Sequence, residues 1–112
     1  MRLVNERTRE TLAAAVEIAA TRRARRAGLL GRDALDVSCA LVLDPCWMIH
    51  TAFMRFPIDV VFVGRDDRVV RIAQSVQPWR AAASMRARRV IELPAGTVRR
   101  HRVAIGDALR LC

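Results

Sequence analysis

Apolar and polar positions fall into short segments along most of the chain, and their rhythm is that of strands. Ile58–Val63 is β-branched and largely apolar, the composition of a buried strand. Gly64-Arg65-Asp66-Asp67-Arg68 supplies turn chemistry, and Val69–Ala73 then alternates apolar residues around Arg71, so the two runs predict an antiparallel hairpin. Cys39–Leu43 is a further apolar run, stopped by Asp44-Pro45. Val90–Leu93 ends at Pro94-Ala95-Gly96, and Gly106-Asp107 turns the chain into a last strand, Ala108–Leu111. Between them, Ala81–Met85 reads as a small-residue loop or short turn after Pro78-Trp79-Arg80. Short strands at this spacing predict a mainly β fold. A β-sandwich or barrel-like antiparallel sheet with one or two short helices is the expected architecture.

The N-terminal part carries two rhythms at once. Ala, Glu, Arg and Leu dominate Glu6–Ala27 and suit one long helix, whereas Val16 and Ile18 alternate with Glu17 and Ala19 as in a half-buried strand. Thr21 is placed to cap a short arginine-rich helix ending at Gly28. Periodicity leaves residues 5–20 open between strand and helix.

Composition adds bounds. A chain of 112 residues has room for one domain, 1–112, with a single core. It is 53% apolar but only 4% aromatic and lacks Tyr, so that core must rest on Ala, Val, Leu and Ile. All 20 basic Lys+Arg residues are Arg, and the formal charge is +9. Arg and Ala both have GC-rich codons, so base composition is the plain explanation of the bias, yet the charge still attracts polyanions and acidic surfaces. Cys39, Cys46 and Cys112 are an odd set without metal-ligand spacing, which predicts free thiols in a reducing compartment, no disulfide and no structural metal. Leu12–Ala20 has the look of a signal core, but Glu6, Glu10 and Glu17 spoil it, and no apolar run reaches the ~20 residues of a membrane span. The expectation is a bacterial-like cytoplasmic protein without a membrane span.

Three blocks in order bear a family resemblance. Arg25-Arg26-Ala27-Gly28-Leu29-Leu30-Gly31-Arg32 is similar to a pattern R-x-x-G-L-M-x-R, and Ile49 through Phe62, with Phe56-Pro57-Ile58-Asp59 inside, resembles F-W-M-x-N-T-x-x-P-L-D-x-x-F. Val90-Ile91-Glu92-Leu93-Pro94-Ala95-Gly96, followed by Gly106-Asp107, resembles V-L-E-L-P-A-G … G-D. On these blocks the chain, from about Val16 to Leu111, resembles the family Domain of Unknown Function 192. The resemblance implies a predominantly antiparallel β fold with a strand at Ala14–Ala19 and a helix at Thr21–Leu29. It implies structural roles for Arg25, Gly28, Arg32, Pro57, Asp59, Glu92, Pro94, Gly96, Gly106 and Asp107, and no activity. His50 and Thr51 stand where the pattern has Trp and Met, and Phe53 and Met54 replace its Asn and Thr, so no role of those residues carries over.

Candidate chemistry is sparse. Cys46, Met48, His50 and Met54 are soft donors that would share one side of an extended strand. The same alternation describes a core face, and core packing is the preferred reading over a metal site or a Cys46–His50 nucleophile pair. His50, Arg55, Asp59, Trp79 and Arg80 are candidates for a ligand site, with arginine offering a planar fork to carboxylate or phosphate. Asp59 enters an apolar strand and is expected to pair with Arg55 or Arg25. The arginine clusters at 22–26, 86–89 and 99–102 make nucleic acid a second partner class, not the favoured one. The leading expectation is a non-enzymatic binding or accessory domain that recognises a protein partner or a small polar or anionic ligand, without a cofactor. A metal protein or Cys/His enzyme ranks last.

Overall fold

The protein is described by a computed structural model covering residues 1–112. Three short strands open it: β1 (Leu3–Asn5), β2 (Thr11–Ala13) and β3 (Ala15–Ala19). The helix α1 (Arg22–Ala27) follows, then β4 (Cys39–Leu43), β5 (Met48–His50), β6 (Ile58–Val63) and β7 (Val69–Val76). The chain closes with β8 (Ala81–Ala83), β9 (Arg89–Pro94), α2 (Thr97–Arg100) and β10 (Leu109–Leu111). The fold is therefore mainly β with two short helices, as the spacing of apolar runs predicts. The long-helix alternative for residues 6–27 does not occur, because the apolar positions of β2 and β3 are used in sheet pairing instead.

A five-stranded sheet in the order β3-β4-β9-β6-β7 forms the centre. The predicted hairpin is β6–β7, with Val61 opposite Ile72 and Val60 opposite Ala73. All its pairs are antiparallel except β3–β4, which is parallel because α1 lies in the crossover between them. A three-stranded sheet, β10-β1-β2, and a two-stranded one, β5-β8, complete the fold. Ala81–Ala83 is thus a strand and not the expected loop or turn. Its backbone pairs with Met48–His50, a partner that local sequence does not specify.

The central strands are buried on both faces, which is why they read as continuous apolar runs. Along β6, Val61 and Val63 enter one core with Leu3, Leu12 and Val98, while Ile58, Val60 and Phe62 enter the other with Leu29, Ile49 and Met54. The same period sorts β9: Ile91 and Leu93 go to the first core, and Val90 to the second. Glu92, two residues from Val90, is placed on the second face by this alternation and is buried there.

Asp59 requires a correction. It is fully buried, but no arginine meets it: Arg55 binds Asp33 at 2.6 Å, and Arg25 donates to the Ala20 carbonyl at 2.6 Å. Its side-chain oxygens accept backbone N–H groups instead, from Ser75 at 2.8 Å, Gly96 at 3.1 Å and Val98 at 2.9 Å. The odd positions of β6 face the core beneath α2, and peptide donors freed at the start of that turn reach Asp59 at less cost than a buried arginine would. No helix of the protein is long and apolar enough to cross a membrane.

Candidate functional site

The helix α1 owes its existence to its ends. Thr21 is extended and its hydroxyl accepts the Ala24 N–H at 3.0 Å, while Gly28, at φ +47°, closes the last turn with its own N–H on the Ala24 carbonyl. None of its six residues is buried, and Ala24 is the one packed against the second core. Leu29, just past the cap, is the residue that enters the core and anchors it.

Below α1 a cavity of about 260 Å³ opens between the helix end, β4, β5 and β9. Apolar walls come from Leu29, Leu43, Ile49 and Met54; Arg25, Arg26, His50 and Glu92 supply the polar ones. Each of the three sequence blocks contributes, since Arg25 and Gly28, His50 and Met54, and Glu92 all line it. Glu92 is the unusual member. Its Oε1 is buried without a hydrogen-bond partner, and a Cβ on residue 28 would stand 3.9 Å from that oxygen. Burial pushes the Glu92 carboxyl up to about 7, against the opposing charge of Arg32. Arg32 itself is engaged elsewhere, in a fork on Glu17 at 2.7 and 3.2 Å.

The soft donors are distributed differently from a core face. Ile49 points into the core, whereas Met48 and His50 on either side of it are exposed, so the core-packing reading fails for those two and holds for Met54. Cys46 is half-buried; its thiol donates to the Met48 carbonyl at 3.1 Å, and burial pushes its titration upward, which disfavours the thiolate a nucleophile or metal ligand needs.

Of the candidate ligand residues, His50 reaches the cavity, while Trp79 and Arg80 lie at the neighbouring sheet end. There Thr51, fully buried, donates its N–H to the Arg80 carbonyl, and its hydroxyl accepts the Arg80 N–H at 2.8 Å. Trp79 is 60% exposed and meets Phe53, 71% exposed, with ring centroids 4.5 Å apart and planes at 60°. Arg55 is exposed and paired with Asp33, and Asp59 faces the opposite core. Gly96 and Gly106 sit at φ +95° and +94°, the turn geometry their sequence positions require. Asp107 is buried against Asn5 and Arg7, and its hydrogen bond with Arg7 draws it down to about 2. The arginine clusters do not share one face: α1 covers the second core, and Val98 carries the 99–102 cluster over the first.

From sequence, Glu92 carried a structural role but no place in a ligand cavity, and Phe53 carried no role. A lone carboxylate within the apolar run Val90–Leu93 was a signal for the first; for Phe53 there was none.

The family model for DUF192, described as Uncharacterized ACR, matches residues 3–111. The chain belongs to this family. The match begins ahead of Val16 and so takes in β1 and β2. No curated protein matches. Among solved structures, a protein of unknown function from Novosphingobium aromaticivorans DSM 12444 superposes with a TM-score of 0.85 at 22% identity, over 98% of this chain and 82% of that one. A Sinorhizobium meliloti 1021 protein described as a "putative transcription regulator" gives a TM-score of 0.82 at 26% identity, over 97% and 89% of the two chains. Both comparisons show a shared fold.

Proposed function

We propose that this DUF192 protein is a non-catalytic binding domain whose ligand is a small polar molecule held in the cavity beneath α1. One observation carries the reading: the buried, unpartnered Oε1 of Glu92 on the wall of a cavity of about 260 Å³. A carboxyl group desolvated without a partner is costly, and a ligand donor placed against it removes that cost. Arg25, Arg26 and His50 along the cavity suit an anionic group, and Leu29, Leu43 and Met54 suit a short apolar body between the two. The ligand class that satisfies all three is a small zwitterion or donor-bearing acid, with its N–H toward Glu92 and its carboxylate toward the arginines. The description of the Sinorhizobium protein brings no DNA-reading helix pair here, since α1 and α2 are separated by six strands.

Thermal shift against free amino acids tests this. At least one is expected to raise the melting temperature of the wild type and to lose that effect in Glu92→Leu. A panel without any stabiliser, or a response equal in both proteins, rejects the reading.

A further inference from the structure

We infer that the exposed Phe53–Trp79 pair and the arginines beside it form a docking surface for single-stranded nucleic acid. Both aromatics occupy the left-handed region, Phe53 at φ +64° and Trp79 at φ +66°, which large side chains seldom adopt. The buried Thr51 enforces this geometry: its carbonyl accepts the Trp79 N–H at 3.0 Å, and its hydroxyl lies 2.6 Å from the Gln77 carbonyl. Two rings are thereby held out in water, where local collapse would otherwise cover them.

Arg55, two residues after Phe53, is neutralised by Asp33, but Arg80, His50, Arg25 and Arg26 have no acidic partner within ion-pair distance. Arg80 follows Trp79 directly, and its guanidinium bonds only the Trp79 carbonyl. His50, opposite Ala81 in the β5–β8 pair, also lines the cavity together with Arg25 and Arg26. The helix carrying those two has four arginines in six residues and no acid in its first turn. The path from α1 across His50 to Arg80 and Trp79 is therefore cationic at one end and aromatic at the other.

A single strand matches both features. Its phosphates would lie on the arginines, and an unpaired base would stack on Trp79 and Phe53. A duplex hides its base faces, and helices of six and four residues offer little to a major groove. An acidic peptide would use the charge and leave the rings idle. The aromatic end lies outside the Glu92 cavity, whereas the cationic end shares Arg25, Arg26 and His50 with it, so the Trp79 and Phe53 variants are what separate this test from the small-ligand reading.

Fluorescence anisotropy of the full chain with labelled oligothymidylate provides that test. Wild type is expected to bind with an affinity that falls steeply with salt. Trp79→Ala and Phe53→Ala should each weaken binding about tenfold, and Arg25→Glu with Arg26→Glu should also flatten the salt slope. Arg99→Glu with Arg100→Glu, over the other core, should leave affinity within about twofold, since their charges lie outside the path. Matching melting curves establish that the variants are folded; the conservative Trp79→Phe should retain most of the binding. Absence of wild-type binding overturns the proposal. So does unchanged affinity in both aromatic variants, an equal loss from the two charge-reversed pairs, or equally strong binding of polyglutamate.

Discussion

Asp59 and Glu92 are both buried carboxyl side chains on central strands, yet the structure treats them in opposite ways. Asp59 collects three backbone donors from two segments of chain and so organises the turn into α2. Removing it leaves those N–H groups without a partner, each costing on the order of 1–3 kcal/mol. Asp59→Ala is expected to lose roughly 3 kcal/mol or more in urea denaturation, and Asp59→Asn distinctly less, because one acceptor oxygen remains. Stability of the alanine variant equal to wild type would remove Asp59 from this role. Glu92 has the reverse signature, with burial raising its carboxyl from 4.5 to about 7. The folded state therefore holds a proton that the unfolded chain releases between those values. Its contribution to stability is fully present below pH 4.5 and is lost as pH rises through about 7. Glu92→Gln should thus gain on wild type across that window by about 3 kcal/mol and stay level above it. A pH-independent difference between the two proteins would contradict this origin.

Among the elements, α1 has no buried residue and depends on its caps. Thr21→Ala removes the acceptor of the Ala24 N–H and is expected to cost about 1 kcal/mol. Faster hydrogen exchange at residues 24–28 should accompany it, because fraying of α1 opens the cavity wall; unchanged exchange there would show that Leu29 alone holds the helix. The strand trio β10-β1-β2 depends instead on Asp107, which joins Asn5 and Arg7 to the turn before β10. Asp107 is depressed from 3.8 to about 2, so its contribution is present above pH 3.8 and is lost as pH falls through about 2. Asp107→Asn is expected to melt at lower temperature at neutral pH, with the deficit shrinking in acid. A deficit that is constant down to about pH 2 would show that shape rather than charge matters there.

For the molecule as a whole, charge is the dominant property beyond the core. Of 20 arginines, only Arg7, Arg32, Arg55, Arg88, Arg89 and Arg110 lie within ion-pair distance of an acid. Self-repulsion among the rest should be relieved by screening, so the melting temperature is expected to rise as sodium chloride is raised from about 10 to 150 mM. A fall over that range would mean that the ion pairs outweigh the repulsion. The distribution of charge matters as much as its sum. The cluster on α1 and that at 99–102 are separated by the central sheet, which leaves only the α1 side to act with the aromatic pair and the cavity.

Composition and period by themselves determined β4, β6, β9 and the β6–β7 hairpin, because these depend on residues adjacent in sequence or on the alternation that two buried faces impose, whereas β3 and the short helix were chosen over one long helix only by the family resemblance. The three motif blocks likewise carried the family. Partners brought from afar were decided only by tertiary structure. Strand β8 exists through β5, and Asp59 takes peptide donors from α2 and β7 where sequence pairing suggested an arginine. The meeting of Glu92 with Gly28, and of Phe53 with Trp79, is equally a product of packing. A side chain's type states what it can bond; which groups stand within reach, and whether water is among them, is settled only when the sheet has closed.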